Sequence, residues 1–210
     1  MARHRDAVCR LCRREGMKLF LKGLRCFTEK CAIEKRNFVP GQHGQKRRAK
    51  TVGYGLQLRE KQKAKRAYGL LERQFRNYVE KADRAKGPTG ENLFIMLERR
   101  LDNVLYRMGL AGSRSQARQM VLHGHVTVAG RKVNIPSYLV SVGEEIALKE
   151  KMHQNAMVLE ALNLAQSQNS VPWLEVDRAA CKARVVALPR RQDVTTPPIS
   201  EQLIVELYSK

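Results

Sequence analysis

Three consecutive stretches decide the fold: Leu93-Phe94-Ile95-Met96-Leu97-Glu98-Arg99-Arg100-Leu101-Asp102-Asn103-Val104-Leu105-Tyr106-Arg107-Met108, then Ser113-Arg114-Ser115-Gln116-Ala117-Arg118-Gln119-Met120-Val121, then His123-Gly124-His125-Val126-Thr127-Val128-Ala129-Gly130. In the first, Leu93, Leu97, Leu101, Val104, Leu105 and Met108 fall on one helical stripe. They predict a single helix to Met108, ended by Gly109 and Gly112. In the second, a hydroxyl at Ser113 with Gln116 three residues on has the spacing of a capping box. The short helix it opens buries Ala117, Met120 and Val121, and Gly124 suits the position after its end. In the third, Val126 and Val128 alternate up to Ala129-Gly130, and Val133 follows, which reads as a tight hairpin.

Toward the C-terminus, Val140, Val142, Ile146 and Leu148 alternate around a Gly143-Glu144 turn, and Met152 to Ala165 returns to helical spacing. Trp173 to Val176 and Ala183 to Leu188 read as two more strands. Pro197-Pro198 breaks the pattern, and Ser200 is placed to cap a last helix bearing Ile204, Leu207 and Tyr208. The lone Cys181, in a strand-like run, reads as a small buried hydrophobe. Toward the N-terminus, Ala64, Tyr68, Leu71, Phe75, Tyr78, Val79 and Ala82 recur at helical spacing from Leu56 onward. The other faces carry Arg59, Lys61, Lys63, Lys65, Arg66, Arg73 and Arg76. Lys86-Gly87-Pro88-Thr89-Gly90 is a boundary. Residues 1–50 show little periodicity and predict an extended, irregular arm with too few apolar residues for a core.

The chain has 210 residues and a net charge of +20, from 40 Lys and Arg against 20 Asp and Glu. The excess is uneven. Residues 1–86 hold 25 basic and 8 acidic residues, a net of +17, and the remainder a net of only +3. A compact segment at +17 repels itself unless a polyanion neutralises it. An anionic membrane surface could do so, but no apolar run approaches the ~18 residues of a span. Arg and Lys also interrupt any signal-peptide pattern, so the expected location is the reducing cytosol. With only 6% aromatic residues, a stacking platform for single strands is not expected.

Cys9-x2-Cys12 and Cys26-x4-Cys31 form two close pairs separated by thirteen residues. Four soft ligands at this spacing suit a structural tetrahedral metal, zinc first, with an iron–sulfur cluster as the alternative. Reduced cysteines without metal, or disulfides, are the bland readings, and a reducing compartment disfavours disulfides. His4 and His43 could substitute as ligands but read better as exposed or RNA-contacting residues. Arg114 and Arg118, one turn apart, together with Arg131-Lys132 beyond the hairpin turn, predict a row of cations along one surface. Such a row tracks a phosphate backbone or is an ordinary solvated edge.

The run Arg100 to Arg107, with Ser113 to Gln119 and His123-Gly124-His125-Val126-Thr127-Val128-Ala129-Gly130, resembles the small RNA-binding module of the ribosomal protein S-four family. Ala129 stands where that family usually has Asn, and Glu144 where it often has Asp. The resemblance extends over the chain through Pro40-Gly41-Gln42-His43-Gly44, Gln57 to Lys63, Glu72 to Asn77 and Glu201 to Ser209, and the cysteines match the family's metal-binding form. It implies an α+β fold in three parts. Residues 1–45 form an irregular arm with the metal knuckle. Residues 46–97 form a helical domain completed by 195–210. Residues 98–194 form an inserted α/β RNA-binding module of the S-four type.

The resemblance further implies a non-enzymatic constituent of the small ribosomal subunit in the cytoplasm, not a homo-oligomer. Such a protein binds small-subunit (16S) rRNA directly at a multi-helix junction and nucleates assembly of the body. Shape-based binding of this kind needs many phosphate contacts and few base readers. The expected contacts are Arg10, Arg13, Arg14, Lys22, Arg25, Lys35 and Arg36 in the arm, Arg59, Lys63, Arg66, Arg73 and Arg76 in the helices, and Arg114, Arg118 and Arg131 in the module. Lys46, Arg47, Arg48 and Lys50 are expected at the channel through which mRNA enters, beside ribosomal proteins S-three and S-five. The C-terminal helix is expected to pack on the N-terminal helices and meet S-five, a contact tied to translational accuracy. Two other classes compete. A pseudouridine synthase needs a catalytic Asp in a further α/β domain for which there is no room. A zinc-bearing DNA regulator needs a recognition helix after the cysteines and dimerisation heptads, and the sequence offers neither.

Overall fold

The computed structural model describes residues 4, 6–46, 51–166, 171–194 and 197–209. In chain order its helices are α1 (Cys9–Glu15), α2 (Ala32–Lys35), α3 (Tyr54–Ala67), α4 (Glu72–Arg84), α5 (Thr89–Glu98), α6 (Leu101–Arg107), α7 (Arg114–Leu122), α8 (Ala156–Gln166) and α9 (Glu201–Tyr208). Its strands are β1 (Val126–Val128), β2 (Arg131–Lys132), β3 (Glu145–Leu148), β4 (Leu174–Asp177) and β5 (Lys182–Val185). They form one antiparallel sheet in the order β2-β1-β3-β5-β4, so the fold is mixed α plus antiparallel β. The chain divides into two compact units, Met1–Phe94 with Val194–Lys210, and Ile95–Asp193. Among the described residues no helix is long and apolar enough to cross a membrane.

In the first unit Ala64, Ala67, Tyr68, Phe75, Val79 and Ala82 turn inward with Leu93, Phe94 and Ile204. The apolar stripe thus becomes a core. α9 packs on α3, and Gln57 Nε2 donates to Glu206 at 3.0 Å. Ser200, expected to cap α9, makes no side-chain cap bond. Its backbone N–H instead donates to Glu60 of α3 at 3.1 Å, so tertiary packing sets this helix start.

The arm corrects its expectation of an extended chain. Residues 9–44 form short helices and turns around buried Cys12, Leu19, Cys26, Cys31 and Val39. Thiols bury as readily as small hydrophobes, and counting them as apolar supplies the missing core. Arg13 closes the knot from within α1, donating to the carbonyls of Phe38 (2.9 Å) and Val39 (3.4 Å) with its guanidinium 4.8 Å over the Phe38 ring.

In the second unit the α6–α7 pair packs Leu101, Val104, Leu105, Ala117 and Val121 against Val126, Val128, Ile146, Leu148 and Trp173 of the sheet side. Ser113 caps α7 as expected, its Oγ accepting from Gln116 N at 3.3 Å, but the return bond of a capping box is shifted by one residue: Gln116 Oε1 accepts from Gly112 N at 2.9 Å rather than from the cap itself. Ala129 and Gly130 both have positive φ, 47° and 75°, the requirement of the tightest hairpin turn. Glu144 fixes the next turn by accepting from Tyr138 Oη (2.7 Å) and Ser141 N (2.8 Å). Cys181 is buried with a free thiol.

The single helix expected over Leu93 to Met108 is two helices. The chain leaves the helix at Arg100 (φ −65°, ψ 134°), where Arg99 O accepts from Val140 N at 2.9 Å and Leu101 N donates to Tyr138 O at 2.8 Å. A crossing segment captures two backbone groups that helix would otherwise pair. Val140 is therefore spent on this bridge rather than on β3, and β5 stops at Val185, short of the expected Leu188. α8 starts later than the periodicity suggests because Asn155 Oδ1 accepts from Met157 N at 2.9 Å, as an N-cap does.

Candidate nucleic-acid interface

The fold sorts the expected cations into three groups by what their charge already does. Arg10, Arg14, Lys22, Lys35, Arg36, Arg73 and Arg131 are exposed and, among the described residues, form no ion pair. Their charge is available to an external polyanion. Arg25 and Arg76 are also exposed but partly engaged, Arg25 with Lys30 O (3.2 Å) and Arg76 with Glu80 (3.1 Å). Lys46 is exposed, whereas Arg47, Arg48 and Lys50 lie outside the described residues.

Arg13, Arg59, Lys63 and Arg66 are half-buried and work inside the protein. Glu15 of α1, its side chain 1% exposed, takes Arg59 (3.3 Å) and Arg66 of α3, pinning the knot to the helices. Burial pushes the Glu15 carboxyl above its ordinary range against the pull of Arg66 and Arg59. Burial likewise lowers Arg66. Lys63 pairs with Glu60 one turn back, while Lys61 and Lys65 both hold Glu72 at the start of α4. Much of the basic face of α3 is therefore wiring between elements.

Arg114 and Arg118 correct the expectation of a solvent-facing row: they are only 8% and 5% exposed. Arg114 Nε donates to Asn103 Oδ1 at 2.7 Å, with its guanidinium 4.5 Å over the Tyr106 ring. Asn103 in turn donates to Glu98 (2.8 Å), which also accepts from Arg107 (2.9 Å). Arg118 and Arg100 share Asp102, at 3.1 and 2.6 Å. Glu98, Asp102 and Asn103 were missed as partners because they sit on a stripe whose apolar members dominate the pattern. Of the module's expected contacts only Arg131 faces solvent, with Lys132 next to it on β2; His123 is exposed as well. The Lys132 stem lies over Gly124: a Cβ there would meet Lys132 Cε at 2.2 Å, so only glycine lets this cation lie down. The His123 and His125 rings meet edge to face, 5.9 Å apart.

The four arm cysteines are all free thiols in one small knot. Burial raises the Cys12 thiol to about 11, opposed by a hydrogen bond from the Leu19 backbone and reinforced by the charges of Cys26, Cys9 and Cys31. Burial raises Cys26 as well, against an N–H from Lys22 at 3.3 Å. Amides aimed at sulfur favour the thiolate form, the state that binds metal. Among the described residues, however, no three of His, Cys, Asp and Glu converge tightly enough to hold a metal ion. His4 and His43 are exposed.

Comparison with known proteins covers the whole chain. A family model described as the ribosomal protein S4/S9 N-terminal domain matches residues 3–98, and the S4 domain model matches residues 99–146. Proteins named small ribosomal subunit protein uS4 match over the full length of both chains. Those of Solibacter usitatus and Acidobacterium capsulatum are 61% and 62% identical over 210 residues, and that of Koribacter versatilis is 63% identical over 211.

Proposed function

The chain belongs to the small ribosomal subunit protein uS4 family, and from that premise we propose how its surface carries out the family's work. It is a structural, non-enzymatic component of the small ribosomal subunit that binds rRNA. The reading beyond this is that the first unit grips 16S rRNA at a helical junction and nucleates the body of the subunit. The observation that carries it is the separation of charges just described. Arg10, Arg14, Lys22, Lys35, Arg36 and Arg73 are exposed and form no ion pair among the described residues, while Arg59, Lys61, Lys63, Lys65 and Arg66 are bound internally. Arg131 continues the contact on the module. Arg114 and Arg118 then act as positioning residues, holding α6 and α7 so that β2 and His123 are presented.

Lys46, Arg47, Arg48 and Lys50 are assigned to the mRNA channel, with S-three and S-five as protein neighbours. α9 contributes to the S-five contact and hence to accuracy. Cys9, Cys12, Cys26 and Cys31 are assigned a structural metal, zinc in preference to an iron–sulfur cluster. The support is the donor set and the amides directed at Cys12 and Cys26. Binding would draw the thiols together and supply the cation their burial lacks. Elemental analysis of purified protein is expected to give one zinc per chain, lost in Cys26→Ser; metal-free protein with unchanged arm protection would refute the assignment. For the main reading, competition binding should favour small-subunit rRNA over duplex DNA, and the reverse preference would refute it.

A further inference from the structure

The loop from Lys22 to Lys30 presents an apolar platform that phosphate binding does not explain. It is closed by its own bonds: Phe27 N donates to Leu24 O at 2.9 Å, Thr28 Oγ1 to Arg25 O at 3.2 Å, and Arg25 Nε to Lys30 O at 3.2 Å. Gly23–Cys26 is a 3-10 turn, in which side chains three apart eclipse one another. Leu24 and Phe27 therefore share a face, and they are 43% and 49% exposed.

A second ring packs against the platform. The Phe27 ring stacks on that of Phe20, with centroids 5.2 Å apart and planes 29° from parallel. Phe20 holds this position with φ 52°, a left-handed conformation uncommon for a bulky residue. Around the platform stand the exposed cations Lys22, Arg25 and Lys30, against the single exposed carboxylate of Glu29 within the loop. A flat π-face bordered by cations complements a nucleotide, which offers a flat base beside a phosphate. An apolar protein side chain would match the ring but not the charge.

We propose that Phe27 is the stacking platform for one unpaired base of the rRNA, with Lys22, Arg25 and Lys30 meeting the flanking phosphates. The inference rests on the rRNA-binding reading and deepens it. The low aromatic content argues against a stacking platform; one ring with its neighbouring cations is enough for a single base.

The test uses the full chain and protein-free small-subunit rRNA at fixed salt. The protein has one tryptophan, Trp173, only 2% exposed, so Phe27→Trp introduces an indole whose emission reports the site. Phe27→Trp should keep wild-type affinity and be quenched on binding. Phe27→Ala should bind about 5- to 100-fold more weakly, and Phe27→Leu should fall with it, since leucine restores apolar contact without a π-face. Wild-type affinity in Phe27→Ala, or bound Phe27→Trp without quenching, would overturn the proposal. So would a Phe27→Ala protein that binds rRNA normally yet fails to enter assembled subunits, because a protein would then cover the patch. If Phe27→Ala proves misfolded by circular dichroism, the quenching decides. Failure of the wild type to bind rRNA at all would instead remove the parent reading.

Discussion

Asp102 accepts from Arg100 and Arg118 in the interior of the second unit, and Glu98 serves Arg107 and, through Asn103, Arg114. Buried charges are tolerated only when paired, and removing one partner strands the other at a cost of about 3–5 kcal/mol. Asp102 keeps Arg100 when Arg118 is removed, so Arg118→Ala is expected to destabilise Ile95–Asp193 by less than that, about 1.5–3 kcal/mol in urea unfolding, and to weaken RNA binding only as far as it unfolds the module. Arg131→Ala should do the opposite, lowering rRNA affinity with the urea midpoint unchanged. Arg118→Ala protein of full stability and reduced affinity would return that residue to the contact surface. Periodicity placed Arg114 and Arg118 correctly on α7. It could not tell that their side chains point at Asn103 and Asp102 on α6, because a helical stripe ranks positions by apolar residues and is blind to a buried amide or carboxylate.

At the scale of elements, Glu72 joins three helices: it accepts from Lys61 and Lys65 of α3 and from Tyr208 of α9 at 3.3 Å. Burial alone would raise its carboxyl, but the hydrogen bonds from Lys61 and Lys65 outweigh this and hold it below the ordinary value. A depressed carboxyl stabilises the fold above its unfolded pKa, and that contribution disappears as pH falls through the folded value. Glu72→Gln should therefore melt lower than wild type at neutral pH, with the gap closing below about pH 4.5. A gap independent of pH would show that the junction does not depend on ionised Glu72. The hairpin turn offers a second test. Ala129 at φ 47° pays the left-handed penalty that Asn tolerates better. Ala129→Asn is expected to stabilise the second unit by about 0.5–1 kcal/mol, read from the urea midpoint; no gain would mean the turn relaxes elsewhere. The Ser113 cap and the hairpin were legible because their partners lie within a few residues. The break at Arg100 was not, since Tyr138 and Val140, which cause it, lie some forty residues away. The compact arm was missed for a related reason: its core is made of thiols, Leu19 and Val39 with no repeating interval.

Over the whole molecule, the charge that stands out in the sequence divides in the structure. Part of it is spent on Glu15 and Glu72, which tie α1 and α4 to α3, and on Glu60 within α3. Of the expected contacts, Arg10, Arg14, Lys22, Lys35, Arg36, Arg73 and Arg131 face outward. The first unit thus holds a net of +17 over residues 1–86 without internal acids enough to offset it, while the second, Ile95–Asp193, has 14 basic and 9 acidic residues, a net of +5, and holds all the described strands. The central claim is that rRNA phosphates supply the missing negative charge. The measurement that addresses it most directly is the salt dependence of the full chain's affinity for small-subunit rRNA. Each phosphate neutralised releases about 0.7–0.9 counterion. If the exposed cations named above each meet a phosphate, log K should fall against log salt with a slope of about −5 to −6. A slope near −1 would contradict the account, for the outward charge would then be solvated rather than engaged.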